Sequence, residues 1–121
     1  MDVPAQAVQR LMEVGVAASC MGLNQPAMAI FQGIDAVRPG SDGPLIGIAL
    51  AYMNNRSPEE AVKLLRAQIL DKNPGNLEAK MILGLALKLA GRNSECDNVI
   101  KELNASGDDR AKAFAAGLTA R

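Results

Sequence analysis

Met81-Ile-Leu-Gly-Leu-Ala-Leu-Lys-Leu-Ala-Gly-Arg-Asn-Ser-Glu-Cys-Asp-Asn-Val-Ile100 carries a spacing that occurs three times in the chain. Within it, Leu83-Gly84 pairs a large apolar residue with a small one. Leu87 follows three residues after the glycine, Cys96 twelve after it, and Ile100 four further on. The same spacing begins 35 residues upstream, through Ile48-Ala49, Tyr52, Ala61 and Leu65. Another 34 residues upstream it runs through Val14-Gly15, Ala18, Ala27 and Phe31. Pro39 closes the first unit and Pro74 the second, one place late. A fixed period in this range marks stacked structural repeats. Such a stack works by presenting a surface.

The side chains explain the period. Gly15, Ala49 and Gly84 are small enough to let a second helix approach closely. Ala27, Ala61 and Cys96 supply the matching small surface on that second helix. Phe31, Leu65 and Ile100 fill the space beside the contact, so that small and large side chains interdigitate without voids. Breakers and caps predict helices over about 4–21, 25–37, 44–54, 58–71, 76–90, 93–103 and 109–120. Gly22 and Gly91 stand as helix-ending glycines. Asn24 and Asn93 are expected as N-caps, and Ser57-Pro-Glu-Glu60 reads as a capping serine with proline at the first helical position.

This spacing resembles the tetratricopeptide repeat, whose unit of about 34 residues pairs two antiparallel helices. The resemblance spans residues 8–110. It includes the small and aromatic residues of the first unit (Ala27, Phe31) and its closing Pro39. The tryptophan often seen early in that motif is absent, since the chain has no Trp. The resemblance implies an all-α fold. Three tandem helix-turn-helix repeats, at about 8–41, 42–76 and 77–110, form a short right-handed superhelix within one domain covering 1–121. A last helix at about 108–120, with Ala111, Phe114, Ala115 and Leu118 at helical spacing, is expected to cap the final repeat.

Composition excludes several functions. At 121 residues and 49% hydrophobic, the chain is expected to fold, with about two-thirds of its unfolded surface buried. Lys plus Arg and Asp plus Glu number 13 each, and there is no basic run, which argues against a nucleic-acid partner. Three aromatics (Phe31, Tyr52, Phe114) are too few for a base-stacking platform. There is no histidine, the commonest general base, and no phosphate-binding glycine motif. Glu59-Glu60 and Asp108-Asp109 read as helix-start charges. No catalytic residue, cofactor or metal is expected. Cys20 and Cys96 lack metal-ligand spacing and are expected as buried free thiols, in keeping with a reducing cytoplasm. No stretch is long and apolar enough to span a bilayer, and Met1-Asp2-Val3-Pro4 has no basic n-region of a signal peptide.

In tetratricopeptide proteins the concave groove is lined by the first helix of each unit. The matching positions here are Met12, Glu13, Val16 and Ser19, then Ile46, Gly47, Leu50 and Met53, then Met81, Ile82, Leu85 and Lys88. Most are apolar, so a carboxylate-terminated peptide of the kind some repeat proteins grip would find no matching cations. An amphipathic helix laying down its apolar stripe is the suited ligand, and methionine suits an adaptable contact. Packing of these residues against a helix of the same chain is the alternative.

With size and groove together, the chain resembles the small tetratricopeptide chaperones of bacterial type III secretion systems, the needle-subunit chaperone class. The residues that carry this are Ile82-Leu-Gly-Leu-Ala-Leu-Lys-Leu-Ala-Gly91 and Ala113-Phe-Ala-Ala-Gly-Leu118. The resemblance implies a cytoplasmic bacterial chaperone that sequesters an amphipathic helix of a secreted or needle-type subunit. A second small helical protein often joins such complexes. Met12, Val16, Ile46, Leu50, Met53, Met81, Ile82 and Leu85 are the expected partner contacts. A general scaffold module and a self-associating repeat protein are the competing readings.

Overall fold

A computed structural model describes residues 4–119. Its elements are α1 (Ala5–Cys20), α2 (Asn24–Val37), α3 (Asp42–Asn54), α4 (Pro58–Leu64), α5 (Leu77–Leu89), α6 (Asn93–Ala105) and α7 (Asp109–Thr119). A π turn over Leu65–Leu70 continues α4. No strand occurs among the described residues, so the fold is all-α, built of helical repeats. The expected end of the last helix at Ala120 and the residues Met1 to Val3 lie outside the described residues.

The chain divides into two compact units, Met1–Ser57 and Pro58–Arg121. In the first, α1 packs on α2 and α3, and α2 packs on α3. Phe31 of α2 is the centre of this unit and is fully buried. A Cβ on Gly15 of α1 would lie 2.7 Å from its ring, and one on Gly47 of α3 would lie at the same distance. The two glycines therefore let both flanking helices close onto one aromatic ring. In the second unit, α5 packs on α4, α6 and α7. There Cys96 Sγ donates to the Gly84 carbonyl at 3.4 Å, the close approach that the small residues were expected to allow. Leu118 of α7 seats against the open face of Gly84, and Lys88 Nζ donates to the Leu118 carbonyl.

The ends of three helices repeat in detail. Gly22, Arg56 and Gly91, again 34 and 35 residues apart, all have positive φ, at 78°, 61° and 75°. The next amide in each case reaches back five residues: Leu23 to Ala18 O (2.9 Å), Ser57 to Tyr52 O (2.8 Å) and Arg92 to Leu87 O (2.9 Å). These are the six-to-one bonds of a Schellman ending. Glycine adopts this left-handed backbone freely, whereas a side chain meets the following carbonyl oxygen. Arg56→Gly is therefore expected to raise stability by about 0.5–1 kcal/mol, the relief of strain less the extra unfolded-state entropy of glycine. Chemical denaturation measures it, and a loss of stability would place Arg56 in a contact worth more than its strain.

The π turn accounts for the one-residue irregularity of the second unit. Phe31 and Ile34, three apart, are buried in the first unit, as are Ile100 and Leu103 in the third. In the second unit the buried pair is Leu65 and Ile69, four apart. The extra residue lies between them, inside Leu65–Leu70, where a π turn holds one more residue than an α turn and Ile69 stays in the core. It also displaces Pro74. Deleting the exposed Gln68 should convert the turn to α-helix with a stability change within about 1 kcal/mol. Deleting the exposed Lys101 from regular α6, which breaks the spacing of Ile100 and Leu103, should cost about 2–5 kcal/mol. Equal losses in urea denaturation would refute this placement of the extra residue.

Two expected caps differ. Asn24 and Asn93 each stand as the first helical residue, with Leu23 and Arg92 at the N-cap and no side-chain cap bond. The Asn24 Oδ1 atom is buried without a hydrogen bond. Side-chain caps do form where Asn76 Oδ1 accepts from the Ala79 amide at 3.0 Å, and where Asp108 Oδ1 accepts from Arg110 (2.9 Å) and Ala111 (3.0 Å).

Candidate partner-binding face

α1 spans a whole face of the first unit. Along one edge, 100° per residue brings Gln9, Glu13, Val16 and Cys20 together. Val16 is 45% exposed, a β-branched apolar side chain open to solvent. It is shared by two adjoining recesses. The shallower, on α1 alone, is lined by Gln9, Met12, Glu13, Val16 and Ala17. The deeper, about 280 Å³, lies between α1 and α3 with Phe31 at its floor and Val16, Ser19, Cys20, Leu50 and Asn54 around it. Asn54 Nδ2 donates to Ser19 Oγ at 2.7 Å and to the Ser19 carbonyl at 3.3 Å, tying the ends of the two helices across the rim. The recess has room for a large apolar side chain.

The eight expected contact residues fall into three situations. Val16 is exposed, while Met12, Leu50 and Met53 are half-buried. Ile46 is buried at 6% exposure and offers a partner almost no surface. It lies in α3, whose residues from Pro44 to Ala49 are all buried. In the second unit Met81, Ile82 and Leu85 are half-buried along α5. Lys88, the remaining groove position there, is taken up by the α7 carbonyl described above.

Cys20 overturns an expectation: it is exposed, on the rim of the deeper recess. Cys96 is buried, and burial pushes its thiol above the ordinary cysteine range. The difference follows from position, since Cys20 ends α1 on the recess edge whereas Cys96 sits at the helix–helix contact.

A second apolar face of α1 carries Leu11, Val14 and Met21, exposed at 41%, 54% and 73%. Val14 heads the first repeat, yet its counterparts Ile48 and Leu83 are buried. Within the first unit α1 packs on α2 and α3, and no described element of that unit covers this side.

Several charged side chains of the second unit are engaged in structure. Arg92 Nη1 donates to Glu59 Oε1 at 3.1 Å and its Nη2 to Glu95 Oε1 at 2.8 Å, and Arg66 pairs with Glu95 at 3.0 Å. Hydrogen bonding from Arg92, and then from Arg66, holds the Glu95 carboxyl below its usual range. Lys80 pairs with Glu102 at 3.8 Å. Arg66 and Lys80 both line a recess of about 330 Å³ beside Leu70 and Pro74, so this is no free anion site. No cluster of three or more metal-ligating side chains occurs among the described residues, and no helix there is long and apolar enough to cross a membrane.

No protein-family model and no curated protein matches the chain. Among solved structures, the Sgt2 TPR domain from Aspergillus fumigatus is similar, with a TM-score of 0.78 and 19% identity over 96% of this chain and 79% of that one. At that identity the likeness is one of fold: this chain has the tetratricopeptide helical-repeat architecture.

Proposed function

We propose that the chain is a chaperone of a bacterial type III secretion system that sequesters an amphipathic helix of a secreted or needle-type subunit. The observation that carries the helix-binding part is the solvent-open Val16 between two apolar recesses on α1 and α3. Exposed apolar surface of this kind marks an interaction site. A helix presenting apolar side chains at i, i+3, i+4 and i+7 matches its shape, and Met12 and Met53 provide adaptable contacts. On α5, Met81, Ile82 and Leu85 offer a similar half-buried stripe. The assignment to secretion rests on the sequence resemblance of residues 82–91 and 113–118. Masking a helix that drives polymerisation would keep the subunit from assembling before export.

A second small helical protein would cover the Leu11, Val14 and Met21 flank of α1, which no described element of the first unit covers. The tetratricopeptide fold is ordinarily a protein-binding scaffold, so the chain is read as non-enzymatic. A general adaptor and a self-associating protein are the competing functions. Coexpression of the tagged chain with the needle-type subunit and small helical proteins of its gene neighbourhood, followed by native mass spectrometry, separates them. A stoichiometric complex is expected. A lone monomer would remove the secretion reading, and a homo-oligomer in light scattering would favour self-association.

A further inference from the structure

Among the described residues that line the two recesses of the first unit, Glu13 alone is an acidic or basic side chain. Glu13 lines the shallower recess, is exposed, and forms no ion pair with any described residue. The other polar groups there, Gln9, Ser19 and Asn54, are neutral, and the Asn54 amide is committed to Ser19. Arg10, three residues earlier, is turned about 60° round the helix toward the Val14 flank. On α1 the deeper recess is lined by Val16, Ser19 and Cys20, three, six and seven residues beyond Glu13. At 1.5 Å per residue this is about 4.5–10.5 Å, one to two turns, and Val16 and Cys20 lie on the same edge as Glu13. Cys20 marks the deeper recess and Glu13 the shallower one, with Val16 between them.

We infer that the helix held here carries a lysine or arginine one to two turns (three to seven positions), in one chain direction or the other, from the large apolar side chain that enters the Val16–Leu50–Phe31 recess. The inference rests on the helix-binding reading above and adds the identity of the partner's charged position. A docked helix rises by the same 1.5 Å per residue and runs within about 20° of its neighbour in the commonest bundle packing, so positions one to two turns apart on one meet positions one to two turns apart on the other. An acidic residue opposite Glu13 would be repelled, and a neutral one would leave the carboxylate half-covered and unpaired. A cation satisfies it and fixes both register and direction, which apolar contacts alone leave open.

The test uses the full chain and a displayed library of 18-residue helical peptides with a fixed Leu/Ile/Met stripe and all other positions randomised. Occupancy is read by protection of Cys20 from iodoacetamide, counted by intact mass. Cys96 is buried with a raised thiol and stays silent. Selected peptides should protect Cys20 and be enriched in Lys or Arg within the stated span. Glu13→Gln should weaken them about 2–5-fold at low salt, and Glu13→Lys should shift the selection to Asp or Glu. Peptides that protect Cys20 with no charge preference, unchanged by Glu13→Lys, would overturn this inference and leave helix binding standing. Selection that yields no peptide protecting Cys20 would overturn both.

Discussion

Phe31→Ala should remove about 3–5 kcal/mol of stability, the range for truncating a buried aromatic, out of the ~5–15 kcal/mol a domain of this size has in total. The ring is 1% exposed and touches the backbone faces of both neighbouring helices through Gly15 and Gly47. Its removal leaves a cavity that neither helix can fill with a side chain of its own, because both contact positions lack one. The reciprocal change tests the same contact from the other side. Gly47→Ala puts a methyl group 2.7 Å from atoms of the buried ring, closer than packed carbons allow, and should cost about 1–3 kcal/mol. Phe31→Leu placed on Gly47→Ala should cost less than the sum of the two single changes, since a smaller side chain relieves the clash. Urea denaturation followed by far-ultraviolet circular dichroism measures all three. A loss below about 1 kcal/mol for Phe31→Ala would mean that the ring does not hold the first unit together.

Much of this was legible in the sequence, and the reason is the repeat. Positions that recur three times report packing rather than accident. Thus Phe31, Leu65 and Ile100, and the small residues Ala27, Ala61 and Cys96, are all buried as the spacing required. The misreadings come from places where the repeat rule meets an end or an insertion. Val14 stands in register with buried residues but is exposed, because burial of that position needs a helix on its outer side. Cys20 looked like a core thiol among small residues, but the last turn of α1 opens onto a recess. The π turn left a trace, the late Pro74, but its location needed the burial of Ile69. Asn24 and Asn93 are typical capping residues set one place inside their helices, a difference that local propensity does not resolve.

The depth of the expected contact residues was only partly legible. Val16 is exposed and Met12, Leu50 and Met53 are half-buried, whereas Ile46, at an equivalent repeat position, is in the core. Counting along a helix gives a direction but not the depth of the neighbours on either side.

Leu50→Asp should abolish partner binding, a loss of at least about 100-fold, while the helical signal stays intact. Leu50 is half-buried on the wall of the deeper recess, so a carboxylate there faces the docked helix and loses its water without a cation to replace it. Part of the side chain also rests against the unit itself, so a lowered melting temperature accompanies the change. Val16→Asp separates the two effects, because Val16 is largely free of the core and its replacement should leave stability within about 0.5 kcal/mol. Both variants are expected to lose the partner. Binding that survives Val16→Asp would move the contact off this face, and unfolding of Leu50→Asp with intact binding by Val16→Asp would make Leu50 a core residue only.

The central claim is that the chain keeps a polymerising secretion subunit soluble by covering its amphipathic helix. Its most direct test is to titrate the chain into the purified needle-type subunit of the same gene cluster and follow filament growth by light scattering. The account predicts suppression that is complete at a stoichiometric ratio and lost with Val16→Asp. Filament growth unchanged by an excess of the chain would contradict it.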